Sequence, residues 1–162
     1  MGTEDDNPVT VSDGRHSRIS GSLTFLAFGV GVFAAYHLAL ALLMAADAHG
    51  FFKQLGPFGA FNSHYIRDLA TYNAAVGAAL VIAIRHHSWR IPVLTLVTLQ
   101  FALHSVNHLV DVNDAHPAWT GYLDLASLAV TTLVLGWLLR VAIRVAKWEQ
   151  ASTLTQPVRS KH

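Results

Sequence analysis

The sequence predicts an all-α integral membrane four-helix bundle with its N- and C-termini in the cytoplasm. Three observations point there. Apolar residues make up 52% of the 162-residue chain and charged residues only 13%, whereas a soluble domain carries roughly a quarter charged. The charges sit at the two ends and in short clusters, with long apolar runs between them. The basic clusters also alternate with those runs in a way that puts them all on one side of a bilayer.

Residues 1–20 are polar, with the acidic run Glu4, Asp5, Asp6 followed by Arg15 and Arg18. Such a stretch buries too little to order itself and reads as a disordered cytoplasmic tail. The transmembrane domain is expected over 21–148. Span one covers about 21–46. At ~1.5 Å per residue, a run of that length crosses a ~30 Å hydrocarbon core. It is too long for the ~7–15-residue apolar core of a signal peptide and contains His37, so Ala46-Asp47-Ala48 is read as a loop start and not as a cleavage site.

A loop rich in Gly and Phe follows over 47–61. Asn62 or Ser63 can then cap span two, about 64–85. Its apolar centre, Leu69 to Ile84, needs the polar first turns to reach the interface. Arg85-His86-His87-Ser88-Trp89-Arg90 reads as a basic turn. Pro92 suits the first turn of span three, about 91–112. After a loop around His116-Pro117 comes span four, about 119–139. It continues as a basic helix end with Arg140, Arg144, Lys147 and Trp148, and residues 149–162 form a second disordered cytoplasmic tail.

Arg15 and Arg18, Arg85 and Arg90, and Arg140, Arg144 and Lys147 fall on the same side if the spans number four, which by the positive-inside bias makes that side cytoplasmic. Trp89, Trp119 and Trp148 lie near span ends, as interfacial aromatics do. Gly29, Ala70, Ala74, Gly77 and Ala78 allow close helix approach.

The chain has no cysteine, which removes disulfides, iron–sulfur ligation, thiol catalysis and covalent haem attachment. It has no phosphate-binding glycine loop, nucleophile elbow or dinucleotide fingerprint. The Arg140–Lys147 stretch reads as a lipid-facing anchor, not a nucleic-acid site. What remains is ten histidines and their placement.

Span three carries Gln100, His104, Asn107, His108 and Asp111, which at 100° per residue share an arc of about 100°. A polar stripe on a membrane helix must face protein or water. His104 and His108, four apart, can reach one metal ion from adjacent turns. No glutamate lies between them, so this is not a zinc-protease helix. Span two contributes His64, Asp68 and Tyr72 at i, i+4 and i+8, with Arg67 beside them. Span one contributes His37 and span four Asp124. Counting from the outer ends at ~1.5 Å per residue, His37 and His104 lie ~12–14 Å deep and Asp68 and Asp124 ~7–9 Å. Four spans thus place ionisable groups in one outer-leaflet layer.

Three functions compete for that layer. It binds a metal ion or haem b, with His37, His104, His108 and Asp111 as candidate ligands and His64, Arg67, Asp68, Tyr72, Gln100, Asn107 and Asp124 as the supporting polar network. Neutral imidazole suits Fe, Cu and Zn alike. Alternatively it is a route for protons or a small solute, or a structural network that selects packing partners. Whether any of these amounts to an enzyme activity stays open. The partner common to all three is the lipid bilayer; a homo-oligomer or another membrane protein is compatible with each. His86 and His87 read as headgroup-facing, and His16, His49, His116 and His162 as solvated.

The segments Phe61-Asn62-Ser63-His64-Tyr65-Ile66-Arg67-Asp68 and Ala102-Leu103-His104-Ser105-Val106-Asn107-His108 resemble a group of small four-span bacterial membrane proteins of unknown function, of actinobacterial type. The general layout over 21–140 is similar to that of DoxX-like membrane proteins. The resemblance implies a four-helix bundle in a bacterial plasma membrane and assigns no activity. A redox role borrowed from DoxX-like proteins would be fold-level analogy.

Overall fold

The structure, a computed structural model, describes the backbone of residues 9–154 and the side chains of 20–151. Five helices follow one another: α1 (Val9–Ala46), α2 (Ala48–Gln54), α3 (Ser63–Arg85), α4 (His87–Val110) and α5 (Ala118–Leu154), with no strand among the described residues. Four stretches are long and apolar enough to cross a membrane: Ser20–Ala46, Ser63–Arg85, His87–Val110 and Ala118–Ala151. Their number is the four expected from the sequence, and the last is longer than the expected 119–139. Of the expected tails, residues 1–8 and 155–162 lie outside the described residues. Residues 9–20 and 149–154 carry on the helical backbone of α1 and α5.

α1 packs most extensively on α3, and α4 on α5, so the bundle is two antiparallel hairpins. α3 against α4 and α1 against α5 join them. The main core runs through Leu26, Val30 and Ala34 of α1, Val76, Leu80 and Ala83 of α3, Val93, Leu94, Val97 and Phe101 of α4, and Leu135, Leu138 and Ala142 of α5. Outside this seam the helices turn large apolar residues outward. Phe28, Leu42, Leu103 and Leu133 are each at least 70% exposed. Only 17% of the most apolar stretch of α5 and 39% of that of α3 are buried inside the bundle. A soluble monomer rarely shows apolar patches on this scale. The four apolar helices mark a multi-pass membrane protein whose outward faces meet lipid.

Two glycines sit where helices approach closely. A Cβ on Gly77 would lie 2.7 Å from Leu38 Cγ and 3.2 Å from the Leu38 backbone nitrogen. One on Gly29 would lie 2.8 Å from Leu138 Cδ2. Ala70 is buried as expected of a packing residue, whereas Ala74 and Ala78 face outward.

Three local features depart from the sequence-based expectation. The loop at 47–61 contains α2, whose start is capped by Asp47 accepting from the Gly50 N–H at 2.8 Å. Ala48 and the rings of Phe51 and Phe52 pack on Met44, Ile66 and Ala70, closing the connected end of the α1/α3 hairpin. The basic turn at 85–90 shrinks to one non-helical residue, His86, which ends α3 and starts α4. Arg90, read from the sequence as part of the basic turn, is 6% exposed. It folds back over the corner, where Nε and Nη2 donate to the Ala83 and Ile84 carbonyls at 3.1 and 3.2 Å. Those carbonyls belong to the last turn of α3, which has no intrahelical donors left. Finally, α4 ends at Val110, so Asp111 is its C-cap and not a member of the helix. The Asn62 cap of α3 stands as expected, accepting from the Tyr65 N–H at 3.1 Å.

Candidate functional site

The buried stripe of α3 is Ile66, Ala70, Asn73, Gly77 and Leu80, spaced to stay on one helical face. Asn73 is thereby carried into the interface with α1. There His37, 2% exposed, places Nδ1 2.8 Å from Asn73 Oδ1. Which atom carries the proton follows from the neighbours. Asn73 Nδ2 donates to the Leu69 carbonyl at 2.9 Å and leans on Met44 Sδ at 3.9 Å. A carbonyl can only accept, so the amide nitrogen belongs on that side and the amide oxygen faces His37. The imidazole must therefore donate through Nδ1–H. In the neutral ring this leaves Nε2 as a bare lone pair.

That lone pair is buried, and no hydrogen-bond donor reaches it among the described residues. The ring is walled by aromatic edges instead. Tyr36 lies at 5.4 Å between centroids and Phe101 of α4 at 5.8 Å, both near perpendicular to it. A polar nitrogen held in this way has lost water without gaining a partner, which is costly unless something occupies it.

α4 brings a second pair to the same half of the bundle, near its own C-terminal end. His104 and His108 stack edge to face at 4.7 Å, and Phe58, from the segment after α2, closes on His108 at 4.8 Å. His108 Nδ1 and Gln100 Oε1 are also buried without a hydrogen-bond partner among the described residues. The half-buried Asp124 carboxylate of α5 lies in the neighbourhood of both Tyr36 and His108. One layer, in the half of the bundle away from the start of α1 and the end of α5, thus contains Tyr36 and His37 of α1, Asn73 of α3, Gln100, His104 and His108 of α4, and Asp124 of α5.

Several expected members stay out of it. His64, Asp68 and Tyr72 project about 160–240° around α3 from Ile66, on the opposite side of the helix. All three are exposed, with His64 Nε2 3.5 Å from Asp68 Oδ2 on the outer surface, and Arg67 is exposed beside them. The polar run on α3 is an outward face, and its contribution to the layer is Asn73. Asn107 lies at the edge of the α4 arc, next to the outward residues Leu103 and Val110, and is exposed. Asp111 is half-buried past the end of α4, its N–H bonded to the Asn107 carbonyl at 3.1 Å. Among the described residues, no three His, Cys, Asp or Glu side chains gather at metal-binding distance. His37, His104, His108 and Asp111 are therefore not drawn together as one coordination sphere here.

Asn73 was the member not anticipated. Its signal was available: a lone amide inside an apolar run, four residues before Gly77, where a close helix crossing would bury it. No family model, no curated protein and no solved structure matches this chain.

Proposed function

We propose that this is a multi-pass protein of a bacterial plasma membrane, related to the small four-span proteins of actinobacterial type. In this reading both termini are cytoplasmic, and a transition-metal ion or the iron of haem b binds in the outer half of the bundle. The observation that carries the ligand is the His37 lone pair. Metal-ligating histidines characteristically donate their other N–H to a carbonyl or carboxylate, which fixes ring and tautomer. The Asn73 amide oxygen holds His37 in that arrangement, with Nε2 presented to an electron-pair acceptor. A purely structural role accounts for Nδ1 and leaves Nε2 unexplained. His104 and His108 of α4 are further imidazole donors in the same half of the bundle, with Asp124 supplying negative charge to offset a cation.

A proton is the simplest electron-pair acceptor, so proton handling is the second reading. It is favoured by a second buried imidazole nitrogen without a hydrogen-bond partner among the described residues, His108 Nδ1 on α4.

Purification without chelators, followed by metal analysis and an absorption spectrum, tests the first reading. A Soret band or a stoichiometric metal is expected, lost in His37→Ala and kept in His64→Ala. If neither haem nor metal accompanies the folded protein, the first reading fails. The second then requires proton flux in proteoliposomes that His37→Ala abolishes. Orientation is tested separately by a fluorescent protein fused at the C-terminus. Fluorescence is expected, and a dark but fully expressed fusion reverses the topology.

A further inference from the structure

Toward the end of the bundle that carries both chain termini, α4 and α5 leave an open groove of about 570 Å³ between them. Thr98 of α4 and Thr132, Gly136, Trp137, Arg140 and Arg144 of α5 line it. Its character changes along its length. The Thr98 and Thr132 hydroxyls already donate to carbonyls one turn back, at 2.6 and 2.8 Å, so they offer no free donor to the groove. The floor is low because position 136 has no side chain: the nearest atom to a Cβ there would be Thr98 Cγ2, 4.0 Å away.

At the other end stand Arg140 and Arg144, exposed and one helical turn apart. Neither has a carboxylate partner among the described residues. They follow directly on the apolar length of α5, at the level where hydrocarbon gives way to headgroups. The exposed Trp137 ring beside them suits that level.

We propose that this groove seats one anionic phospholipid, with its phosphate between Arg140 and Arg144 and an acyl chain laid over Gly136 between α4 and α5. The occupant must be apolar at one end and anionic at the other, within the reach of a few helical turns. Guanidinium pairs phosphate oxygens through charge-assisted hydrogen bonds. A second copy of the chain fits poorly. Two copies related by an axis along the membrane normal meet at equal depth, which would set Arg140 against Arg140. A zwitterionic lipid brings its own cation toward the same two guanidiniums.

The test is lipid competition on the detergent-purified full chain, read by native mass spectrometry. Phosphatidylglycerol, phosphatidylcholine and glycerol phosphate are the probes. Phosphatidylglycerol is expected to bind in preference to phosphatidylcholine, and glycerol phosphate, which has no chains, to bind negligibly. The double variant Arg140→Gln/Arg144→Gln should bind phosphatidylglycerol about thirtyfold more weakly. Both side chains are exposed, so this variant keeps the fold. Arg85→Gln/Lys147→Gln removes the same charge from the same end outside the groove and should retain the preference. Gly136→Leu fills the floor with both arginines intact and should also lose the lipid. Equal binding of the two lipids by the wild type overturns the proposal, as does undiminished preference in the Arg140/Arg144 variant. Glycerol phosphate binding as tightly as phosphatidylglycerol also overturns it, by showing a plain anion site. So does a stable dimer that excludes lipid from the groove.

Discussion

His37 of α1 donates its Nδ1–H to Asn73 Oδ1 of α3 across 2.8 Å, one residue and one turn away from the point where Leu38 lies against Gly77. The polar contact and the steric one are coupled. Gly77 lets the two backbones approach, and the approach brings amide and imidazole within bonding distance.

Asn73→Leu removes the acceptor that fixes the His37 tautomer. Interhelical hydrogen bonds in membranes average about 0.6 kcal/mol and reach about 1.7, so a loss of that order is expected in reversible unfolding. Nitrogen NMR of the His37 ring should change from an Nδ1–H form to a mixture of tautomers. An unaltered ring spectrum in the variant would show that Asn73 does not set the proton.

Gly77→Ala and Gly136→Ala should act in opposite directions. Replacing glycine by alanine inside a helix gains up to about 1 kcal/mol from propensity, and overpacking a tight contact costs about 1–3 kcal/mol. At Gly77 the new methyl meets Leu38 from 2.7 Å, including its backbone nitrogen at 3.2 Å, so the cost prevails. At Gly136 nothing lies closer than 4.0 Å, and the gain prevails. Thermal unfolding of the two variants side by side checks the signs.

Arg90→Met is expected to destabilise by about 1.5–3 kcal/mol, the range for hydrogen bonds to charged groups, because it leaves the Ala83 and Ile84 carbonyls without their donors. Arg85→Met, at an exposed position, should stay within about 0.5 kcal/mol. Equal effects from the two would show that the corner does not depend on the guanidinium.

His104→Ala and His108→Ala should damage the protein more than His86→Ala or His87→Ala. The first pair is half-buried against Phe58 and each other. His86 is exposed, and His87 makes only a 3.7 Å exposed pair with Glu149, of a kind worth about 0–1 kcal/mol. Under the metal or haem reading, the α4 variants lose bound ligand while still folding. Under a structural one they lose thermal stability with no ligand to lose. Four negligible effects would mean that the α4 stripe is not a buried feature.

The spans were legible because hydropathy and basic clusters report them directly, and the Asn62 cap because its chemistry is local. The rotation of each helix was less so. α3 is apolar on most sides, and its most regular polar pattern, His64, Asp68 and Tyr72, points away from the bundle. The buried side was chosen by what permits close approach, namely Ala70 and Gly77, and these carried Asn73 inward with them. In α4 the stripe is half-buried at Gln100, His104 and His108 and breaks at its edges, where packing no longer covers Asn107 and the helix has ended before Asp111. α2 is too short for periodicity to reveal. Arg90 looked like its neighbours in sequence, and only the one-residue corner at His86 gives it carbonyls to reach.

The two-hairpin layout bears on how the chain enters a bilayer. In the proposed orientation, each hairpin carries across only what connects its two helices: residues 47–62 in the first and 111–117 in the second. The basic clusters never cross, since they lie at the termini and at the α3–α4 corner. Each hairpin also brings its own polar tie between partners, His37 to Asn73 in the first and Ser105 to Thr132 at 3.3 Å in the second. A nascent chain can therefore complete one pair before the next is synthesised, with the His86 corner left on the ribosome's side throughout.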